Sequence, residues 1–293
     1  MRQVEFPVQL KAYGKRVDER LAELLPPENL RPVPLSAAMR YACLSPGKRI
    51  RPILCLAAAE AVGSDIESVL DAACALEMVH AFSLIHDDLP ALDNDDLRRG
   101  RPTCHVVYGE AVAILAGDGL FALAFETILA GNWPAEAKLA SSHRLAQAAS
   151  RLVRGETEDI LAEGEPVEMD RLRFIHANKT GALVAAAAEI GARLGGASET
   201  DCARVARYGE AVGLAFQIAD DILNVTSTPE ALGKSVGSDA ARGKATYPGL
   251  VGLEGAKLAA QAARDEAIVA LEGLPGNPSL LREIAEFSIS RVA

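Results

Sequence analysis

Apolar residues recur at three- and four-residue steps along almost the whole chain, and this periodicity restricts the fold more than any other feature. Three stretches show it clearly: VDERLAELL, IESVLDAACALEMVHAFSLIHDD and DCARVARYGEAVGLAFQIADDILNV. Such spacing places apolar side chains on one face of an α-helix, whereas the period-two alternation of a half-buried strand is scarce. Turn-forming segments such as PPENLRPVP, GNWPAE and LPGNPS divide the chain into roughly ten to thirteen helices.

The helical pattern favours a single all-α domain. Segments such as GALVAAAAEIGARL are apolar on most faces and would lie at the centre of a helical bundle. Hydrophobic residues make up 49% of the 293 residues but aromatic residues only 4%, so the core must consist mainly of Ala, Leu, Val and Ile. No stretch has the composition of a linker, and we predict one domain over residues 1–293.

Charge and cysteine content argue against several classes of protein. The net charge of −10 disfavours a nucleic-acid partner, because a phosphate backbone attracts a basic surface. The five cysteines are widely spaced and form no CxxC pair, which is typical of free thiols in a reducing compartment. The chain has no apolar signal core and no run of about 18 uncharged apolar residues, so we expect a cytoplasmic protein without a membrane span.

A dense acidic segment, DDLPALDNDDLRRG, occupies residues 87–100 and ends in two arginines. Pro90 should interrupt the preceding helix after Asp88, since proline lacks an amide hydrogen and clashes with the previous helical turn. The chain can then turn back and bring Asp93 towards Asp87. A solvated acidic loop is the alternative interpretation of this segment on its own.

A second acidic pair lies within the helical segment FQIADDILNV. Asp220 and Asn224 are four residues apart and share a helix face, with Gln217 one turn earlier and Asp221 beside them. Apolar residues on both sides make this carboxylate pair costly unless a positive group meets it. A solvated acidic helix end is again the alternative.

The two carboxylate clusters and several basic segments together predict a site for magnesium and a polyphosphate. Oxygen ligands favour Mg²⁺, which usually binds one or two carboxylates together with phosphates and water. Basic residues that could bind the remaining phosphate oxygens occur in RRG, GKRIRP, HANKTG, LGKSVG and ARGKATYP, although each alone is more often a surface charge. No Walker loop is present, so we do not expect the phosphate carrier to be a nucleotide.

The motifs of this chain resemble those of the trans-isoprenyl diphosphate synthases, most of all the bacterial farnesyl diphosphate synthases. The resemblance covers about residues 35–255 and is carried by five segments: AMRYACLSPGKRIRP, DDLPALDNDDLRRGRPTCH, HANKTGAL, FQIADDILNV and LGKSVGSDAARGKATYP. It implies an all-α homodimer in which the two acidic motifs face each other across a deep central cavity. The implied substrates are isopentenyl diphosphate and an allylic diphosphate.

The resemblance also implies a role for individual residues. Magnesium binding, with about three ions per site, would fall to Asp87, Asp88, Asp93 and Asp220, with Asp159 close to one ion. The allylic diphosphate would be bound by Arg98, Lys179, Lys234 and Lys244. Isopentenyl diphosphate would be bound by Lys48, Arg51, His80 and Arg99. Thr180 and Gln217 would lie beside the allylic carbon. The implied catalytic residues are Asp87, Asp88, Asp93, Arg98, Lys179, Thr180, Gln217, Asp220 and Asp221.

The implied reaction accounts for the mixture of acids and arginines in residues 87–100. Departure of a diphosphate leaves an allylic cation, and metal ions and basic residues neutralise the charge on the leaving group. The isopentenyl double bond attacks the cation and a proton passes to the departed diphosphate, so no dedicated protein base is required. Apolar walls would keep water from the cation.

Two residues before the first motif bear on product length. Phe82 lies five residues before Asp87, so its ring could form the floor of the cavity, and Ser83 lies four residues before it. The resemblance associates an aromatic residue here, together with a two-residue expansion of the motif, with a fifteen-carbon product. Farnesyl diphosphate is therefore the expected product and geranylgeranyl diphosphate the alternative, while an ordinary core phenylalanine is the other interpretation of Phe82.

The chain departs from the family pattern at two positions, and rival functions exist. Asn224 replaces a common Asp but can still accept hydrogen bonds through its carbonyl oxygen, and Glu156 replaces a common Gln. A terpene cyclase would need only one diphosphate pocket, which the GKRIRP segment argues against. A non-catalytic partner subunit would have lost acids from the first motif, and a plain helical scaffold would explain the fold but not the motifs.

Overall fold

The computed structural model describes residues 8–226 and 244–290, and α-helices dominate them. The first helices are α1 (Val8–Leu24), α2 (Val33–Cys43), α3 (Ile50–Ala61) and α4 (Leu70–Asp87), the last preceded by a short 3₁₀ turn at Ile66–Val69. A small antiparallel hairpin follows, made of β1 (Leu97–Arg98) and β2 (Arg101–Pro102). The next helices are α5 (Cys104–Tyr108), α6 (Glu110–Ala130), α7 (Ala135–Leu161) and α8 (Met169–Ile175).

A π-helical turn at His176–Gly181, here called the π-turn, joins α8 directly to the next helix. The remaining helices are α9 (Ala182–Leu194), α10 (Glu199–Thr226), α11 (Tyr247–Ala270) and α12 (Ser279–Ser290). The all-α fold predicted from the periodicity is confirmed. Single π-turns within α-helices are frequent at functional sites, and this one contains the HANKTG motif.

Three helices form the centre of the core. Every residue is buried from Pro52 to Ala59 in α3, from Ala72 to Val79 in α4 and from Ala182 to Ala188 in α9. These runs are apolar on all faces, with few exceptions, as expected for helices that neighbours surround completely. Their many alanines allow the helix axes to approach closely.

The helices α3 and α9 approach each other closely at a glycine. A Cβ atom on Gly191 would lie only 2.0 Å from the carbonyl oxygen of Cys55, so any side chain at this position would force the two backbones apart. Close packing of protein interiors leaves little room for such a shift. The glycine therefore fixes the distance between the two central helices.

Two helical segments, Ile66–Asp87 and Glu110–Ala130, are long and apolar enough to cross a membrane by length and composition alone. The most apolar window of Ile66–Asp87 is 72% buried within the protein, and that of Glu110–Ala130 is 39% buried. Core helices of globular proteins satisfy the same test, so this composition does not by itself indicate a membrane span. The lower burial of α6 leaves an apolar face of this helix exposed, including Leu115 and Leu129.

Replacing Gly191 by alanine should destabilise the protein strongly. The added methyl group overlaps the backbone of α3, so we expect the free energy of unfolding to fall by about 3 kcal/mol. Gly14→Ala in α1 is the matched control, because its Cβ would meet neighbours only at 3.8–4.0 Å. Urea unfolding should show little change or a gain of up to about 1 kcal/mol for this control, and equal stability of the two variants would contradict the packing argument.

Candidate active site

The chain turns back on itself directly after α4. This helix ends at Asp87, shortly before Pro90, and the amide of Asp93 donates a hydrogen bond of 2.8 Å to the carbonyl oxygen of Asp87. Asn94 adopts a left-handed conformation with φ of 53° and donates its amide hydrogen to Leu89 O. The turn thus brings the first and third aspartates of the motif together, as the position of the proline predicts.

The hairpin after this turn places an arginine against the second aspartate. The Nε atom of Arg98 lies 2.7 and 2.9 Å from the two carboxylate oxygens of Asp88, and Nη2 lies 2.5 Å from one of them. Burial raises the pKa of Asp88, while Arg98 opposes this effect. One guanidinium thus engages both carboxylate oxygens of Asp88.

On the opposite side, α7 presents two carboxylates to a lysine of the π-turn. The Nζ atom of Lys179 lies 2.6 Å from Asp159 Oδ2 and 2.7 Å from Glu156 Oε2. Gly155 permits this approach, since a Cβ there would lie 2.1 Å from the backbone nitrogen of Lys179. The π-turn therefore rests directly on α7 and carries its ammonium group into an acidic pocket.

A second lysine, Lys244, lies between the acids of α7 and its following segment and an acid of the turn after α4. The Nζ atom of Lys244 lies 2.9 Å from Asp159 Oδ2 and 3.4 Å from Glu163 Oε1 on one side. On the other side it lies 3.8 Å from Asp93 Oδ1 in the turn after α4. Two ammonium groups thus lie among four carboxylates that come from distant parts of the chain.

The pKa values of the carboxylates show that the charge is unevenly balanced. Burial raises the pKa of Asp87 to about 7, and the charges of Glu156 and Asp93 add to this effect while Lys179 opposes it. The buried Oε1 atom of Glu156 has no hydrogen-bond partner among the described residues. Among the described residues, burial and the neighbouring acids therefore outweigh the effect of Lys179 on the pKa of Asp87.

Around Lys179 and Lys244, in contrast, the pairing of opposite charges outweighs the effect of burial. Burial would raise the pKa of Asp159, but Lys179 and Lys244 outweigh burial and lower it. Burial would likewise lower the pKa of Lys179, but Asp159 and Glu156 raise it above its ordinary value. Burial and Lys179 would also lower the pKa of Lys244, but Asp159 and Asp93 raise it. Both lysines therefore carry a positive charge at neutral pH.

A separate cationic cluster lies where α3 begins. Arg49, in a left-handed conformation, donates hydrogen bonds of 2.6 Å to Glu77 on α4 and 2.6 Å to Asp18 on α1. The neighbouring Arg51 has a buried Nε atom without a hydrogen-bond partner within the described residues. A buried guanidinium N–H without a partner is a candidate binding group for an anion.

The four residues assigned to the isopentenyl site lie in or near this cluster. Burial lowers the pKa of Arg51 and of His80, and for His80 the charges of Arg51 and Arg99 act in the same direction. Arg99 donates a hydrogen bond of 2.6 Å to Pro46 O and lines a small cavity together with His80 and Arg98. Lys48 is exposed and lies 6.0 Å above the ring of Phe287, which places α12 beside this site.

The second acidic pair on α10 divides between two environments. Asp220 is exposed, whereas Asp221 is buried and accepts a hydrogen bond of 2.9 Å from the backbone amide of Tyr247. Gln217 and Asn224 are half-buried on the same helix, as is Thr180 on the π-turn. Lys234 lies outside the described residues.

Phe82 lies in an aromatic cluster between α4 and α6. Its ring centroid is 5.0 Å from that of Phe121 and 4.8 Å from that of His86, and Phe121 continues the cluster to Phe125 at 5.2 Å. Ser83 is buried and donates a hydrogen bond to His80 O. The aromatic cluster thus packs α6 against the last turns of α4, just before the first acidic motif.

The sequence did not identify several residues that shape this site. Glu163, His176, Gly155 and the Arg49–Glu77 pair depend on contacts between residues far apart in the chain. Phe121 and Phe125 are ordinary members of an apolar helix in the sequence. The clearest available signal was Glu156, where an acid replaces a common glutamine.

Comparison with known proteins identifies the family. Residues 32–272 match the family model described as polyprenyl synthetase. The chain belongs to the polyprenyl synthetase family. It is 45% identical to the geranylgeranyl diphosphate synthase of Cyanophora paradoxa, over 99% of this chain and 98% of that protein.

Two solved structures of this family superpose closely on the chain. The geranylgeranyl pyrophosphate synthetase of Pyrococcus horikoshii Ot3 is 32% identical, with a TM-score of 0.88 over 97% of both chains. An FPP/GFPP synthase of Zymomonas mobilis is 37% identical, with a TM-score of 0.85 over 96% of this chain and 97% of that one. The polyprenyl synthetase fold therefore extends over almost the whole chain.

The acidic pocket fits magnesium only together with a phosphate ligand. Within residues 8–226 and 244–290, no group of three or more His, Cys, Asp or Glu side chains is arranged to hold a metal ion by itself. Magnesium commonly takes one or two carboxylates and completes its shell with water and substrate phosphates. Asp87 and Asp93, with the unpaired Oε1 of Glu156 nearby, provide such an incomplete set of oxygen donors.

Replacing Asp87 by asparagine should stabilise the metal-free protein at pH 8. The native pKa of about 7 exceeds the ordinary value of 3.8, so the ionised side chain destabilises the fold increasingly as pH rises between these values, and fully above 7. We expect Asp87→Asn to raise the free energy of unfolding at pH 8 by about 1–3 kcal/mol, and to have little effect near pH 4.

Thermal melts with a chelator at the two pH values measure this difference. Asp96→Asn is the matched control, because its side chain is 83% exposed and it belongs to the same acidic segment. A gain in stability that is equal at both pH values, or shared by the control, would contradict the cost of burying the ionised Asp87 side chain beside other acids.

Proposed function

We propose that this protein is a trans-prenyltransferase that condenses isopentenyl diphosphate with an allylic diphosphate, with geranylgeranyl diphosphate as its main product. The observation that carries this proposal is the group of Lys179 and Lys244 among carboxylates of α7 and of the turn after α4. In a magnesium diphosphate, the negatively charged phosphates would pair with the lysines of this pocket. The positively charged magnesium would pair with its carboxylates. Family membership supports the reaction class.

The proposed binding of the allylic substrate uses groups already in place. Arg98, Lys179 and Lys244 would bind the oxygens of its diphosphate, and Lys234 would add a further cation from outside the described residues. Asp87, Asp93 and Asp220 would hold magnesium, with Asp88 fixing Arg98. When bound, magnesium would neutralise the charge that develops on the departing diphosphate.

Isopentenyl diphosphate would bind at the cationic cluster beside α3. The unsatisfied Nε of Arg51 and the guanidinium of Arg99 would meet its diphosphate, with Lys48 at the exposed edge. His80 has a pKa well below its ordinary value and would act as a neutral hydrogen-bonding group. Two separate cation clusters support two diphosphate substrates, which a terpene cyclase would not require.

The reacting carbons would meet between these clusters, near Thr180 and Gln217. Fixing both substrates by their diphosphates supplies the orientation that the attack of the double bond requires. The proton lost from the isopentenyl unit would pass to the departed diphosphate. Buried apolar residues of α4, such as Ala81 and Ile85, support the exclusion of water from the allylic cation.

The length of the product has two candidates. Relatives named geranylgeranyl diphosphate synthases, 43–49% identical to this chain, support a twenty-carbon product. The aromatic contact of Phe82 with Phe121 favours the shorter farnesyl diphosphate as second candidate, because two rings close the space below the first motif. Farnesyl diphosphate would be an intermediate if the product has twenty carbons, and it would be the end product if the chain stops at fifteen.

We also propose that the protein is a cytoplasmic homodimer. Exposed apolar side chains on α5 and α6 support a contact between copies: Val106, Val107, Ile114, Leu115 and Leu129. Exposed apolar side chains that form a patch commonly mark an interface between proteins. The same face accounts for the low burial of α6.

An assay of product length tests the proposed function. The protein is incubated with Mg²⁺, labelled isopentenyl diphosphate and either dimethylallyl, geranyl or farnesyl diphosphate. We expect a twenty-carbon product from all three starters and none after addition of a chelator. A fifteen-carbon product from the first two starters alone would select the second candidate, and no condensation with any starter would contradict the proposed activity.

Phe82→Ala tests whether the aromatic cluster limits the chain. Loss of the ring removes the contact with Phe121, so we expect products longer than those of the unchanged protein by at least one isoprene unit. Phe174→Ala is the control, because this residue is 45% exposed on α8. An unchanged product distribution in Phe82→Ala would show that Phe82 is an ordinary core residue.

A further inference from the structure

The buried aspartate of the second motif joins two segments that each carry a lysine of the site. Asp221 is 5% exposed, and its Oδ2 atom accepts the hydrogen bond from the Tyr247 amide at 2.9 Å. The same oxygen lies 3.5 Å from Nε2 of His176. The rings of His176 and Tyr247 stack with centroids 5.5 Å apart, so the three residues form one cluster.

The positions of these residues connect the cluster to the diphosphate pocket. His176 begins the π-turn three residues before Lys179, and Tyr247 begins α11 three residues after Lys244. Both lysines meet on the same oxygen of Asp159, at 2.6 and 2.9 Å. A shift of either segment would therefore separate the two ammonium groups.

The cluster provides a firm attachment for the start of α11. Tyr247 is 3% exposed, and the preceding Thr246 caps the helix by accepting a hydrogen bond from the Gly249 amide. An early amide of a helix has no partner within the helix, so a buried carboxylate acceptor here satisfies a group that would otherwise be unpaired. Asp221 thereby fixes where α11 begins and, with it, where Lys244 lies.

The two aspartates of the motif have different surroundings. Asp220 is exposed on α10, where it can meet a ligand, while its neighbour is buried against the amide of α11. Consecutive helix residues point about 100° apart, so one side chain faces the site and the other faces the protein. The pair therefore combines two functions in adjacent residues.

We propose that Asp221 is a positioning residue which, through Tyr247 and His176, sets Lys244 and Lys179 at the separation that binds the allylic diphosphate, and that it does not itself bind metal. This role rests on the proposed function of the same pocket. The separation matters because misplacing a binding group by about 1 Å can cost a hundredfold in rate. The role differs from that of Asp220, which contributes a charge to the ligand.

Two substitutions separate positioning from charge. In Asp221→Asn the amide oxygen can still accept the hydrogen bond from the Tyr247 amide, whereas in Asp221→Ala no acceptor is left. We expect the dissociation constant of dimethylallyl diphosphate to rise about tenfold or more in Asp221→Ala and to stay within about threefold of the original in Asp221→Asn. The KM for isopentenyl diphosphate and the magnesium concentration for half-maximal activity should change little in both.

Titration calorimetry with dimethylallyl diphosphate and Mg²⁺, without isopentenyl diphosphate, measures this binding whether or not condensation occurs. Asp220→Asn is the variant for comparison, and we expect it to raise the magnesium concentration that gives half-maximal activity. Tyr247→Phe is the control that keeps the amide and the stacking ring. Thermal melts identify any variant that is not folded at the assay temperature.

Three results would overturn the proposal. If Asp221→Asn and Asp221→Ala weaken the binding of dimethylallyl diphosphate equally and both raise the magnesium requirement, the negative charge of Asp221 would be what matters, and not its hydrogen bond. Unchanged allylic binding in Asp221→Ala would remove any positioning role, and equal weakening for both substrates would indicate a merely structural one. Failure of the unchanged protein to condense its substrates, with the binding differences intact, would contradict the proposed function and leave the positioning role standing.

Discussion

The ion pairs of two lysines with carboxylates from separate parts of the chain are the interaction on which the site depends. Asp159 accepts both ammonium groups, and Lys244 reaches from there towards Asp93 in the turn after α4. Burying so many charges is costly unless each has an opposite partner, and here the partners come from α7, the π-turn, the start of α11 and the first acidic motif. Pairing therefore holds together the parts of the fold that surround the pocket.

The unequal balance within this cluster suits a ligand that carries both metal ions and phosphate. Lys179 and Lys244 are held charged by acids, whereas Asp87 has its pKa raised to about 7 by burial and by neighbouring acids. A magnesium diphosphate would bring positive charge to Asp87 and negative charge to the lysines. The same groups that stabilise the folded chain are thus available to exchange their partners for substrate.

Much of the fold could be predicted from the sequence because helices are local structures. The apolar period marked the helices, and Pro90 indicated the turn that returns Asp93 to Asp87. The cluster around Lys179 could not be derived in this way, since its members are brought together only by packing of α7 against the π-turn at Gly155. The burial of Asp221 was equally hidden, because its acceptor role depends on an amide 26 residues further along the chain.

The resemblance to a family added what periodicity could not, namely a prediction of which charged residues belong to one site. It favoured a fifteen-carbon product because of Phe82, whereas the longer product proposed above is supported by relatives named geranylgeranyl diphosphate synthases. The departure at Glu156 gained a physical meaning only in the structure, where the acid pairs with Lys179 and raises the pKa of Asp87.

A crystal structure with Mg²⁺ and an unreactive allylic thiodiphosphate tests the role of the lysine cluster most directly. We expect diphosphate oxygens within hydrogen-bond distance of Nζ of both Lys179 and Lys244, with the metal on Asp87 and Asp93. A diphosphate bound elsewhere, with both lysines still on Asp159, would contradict it.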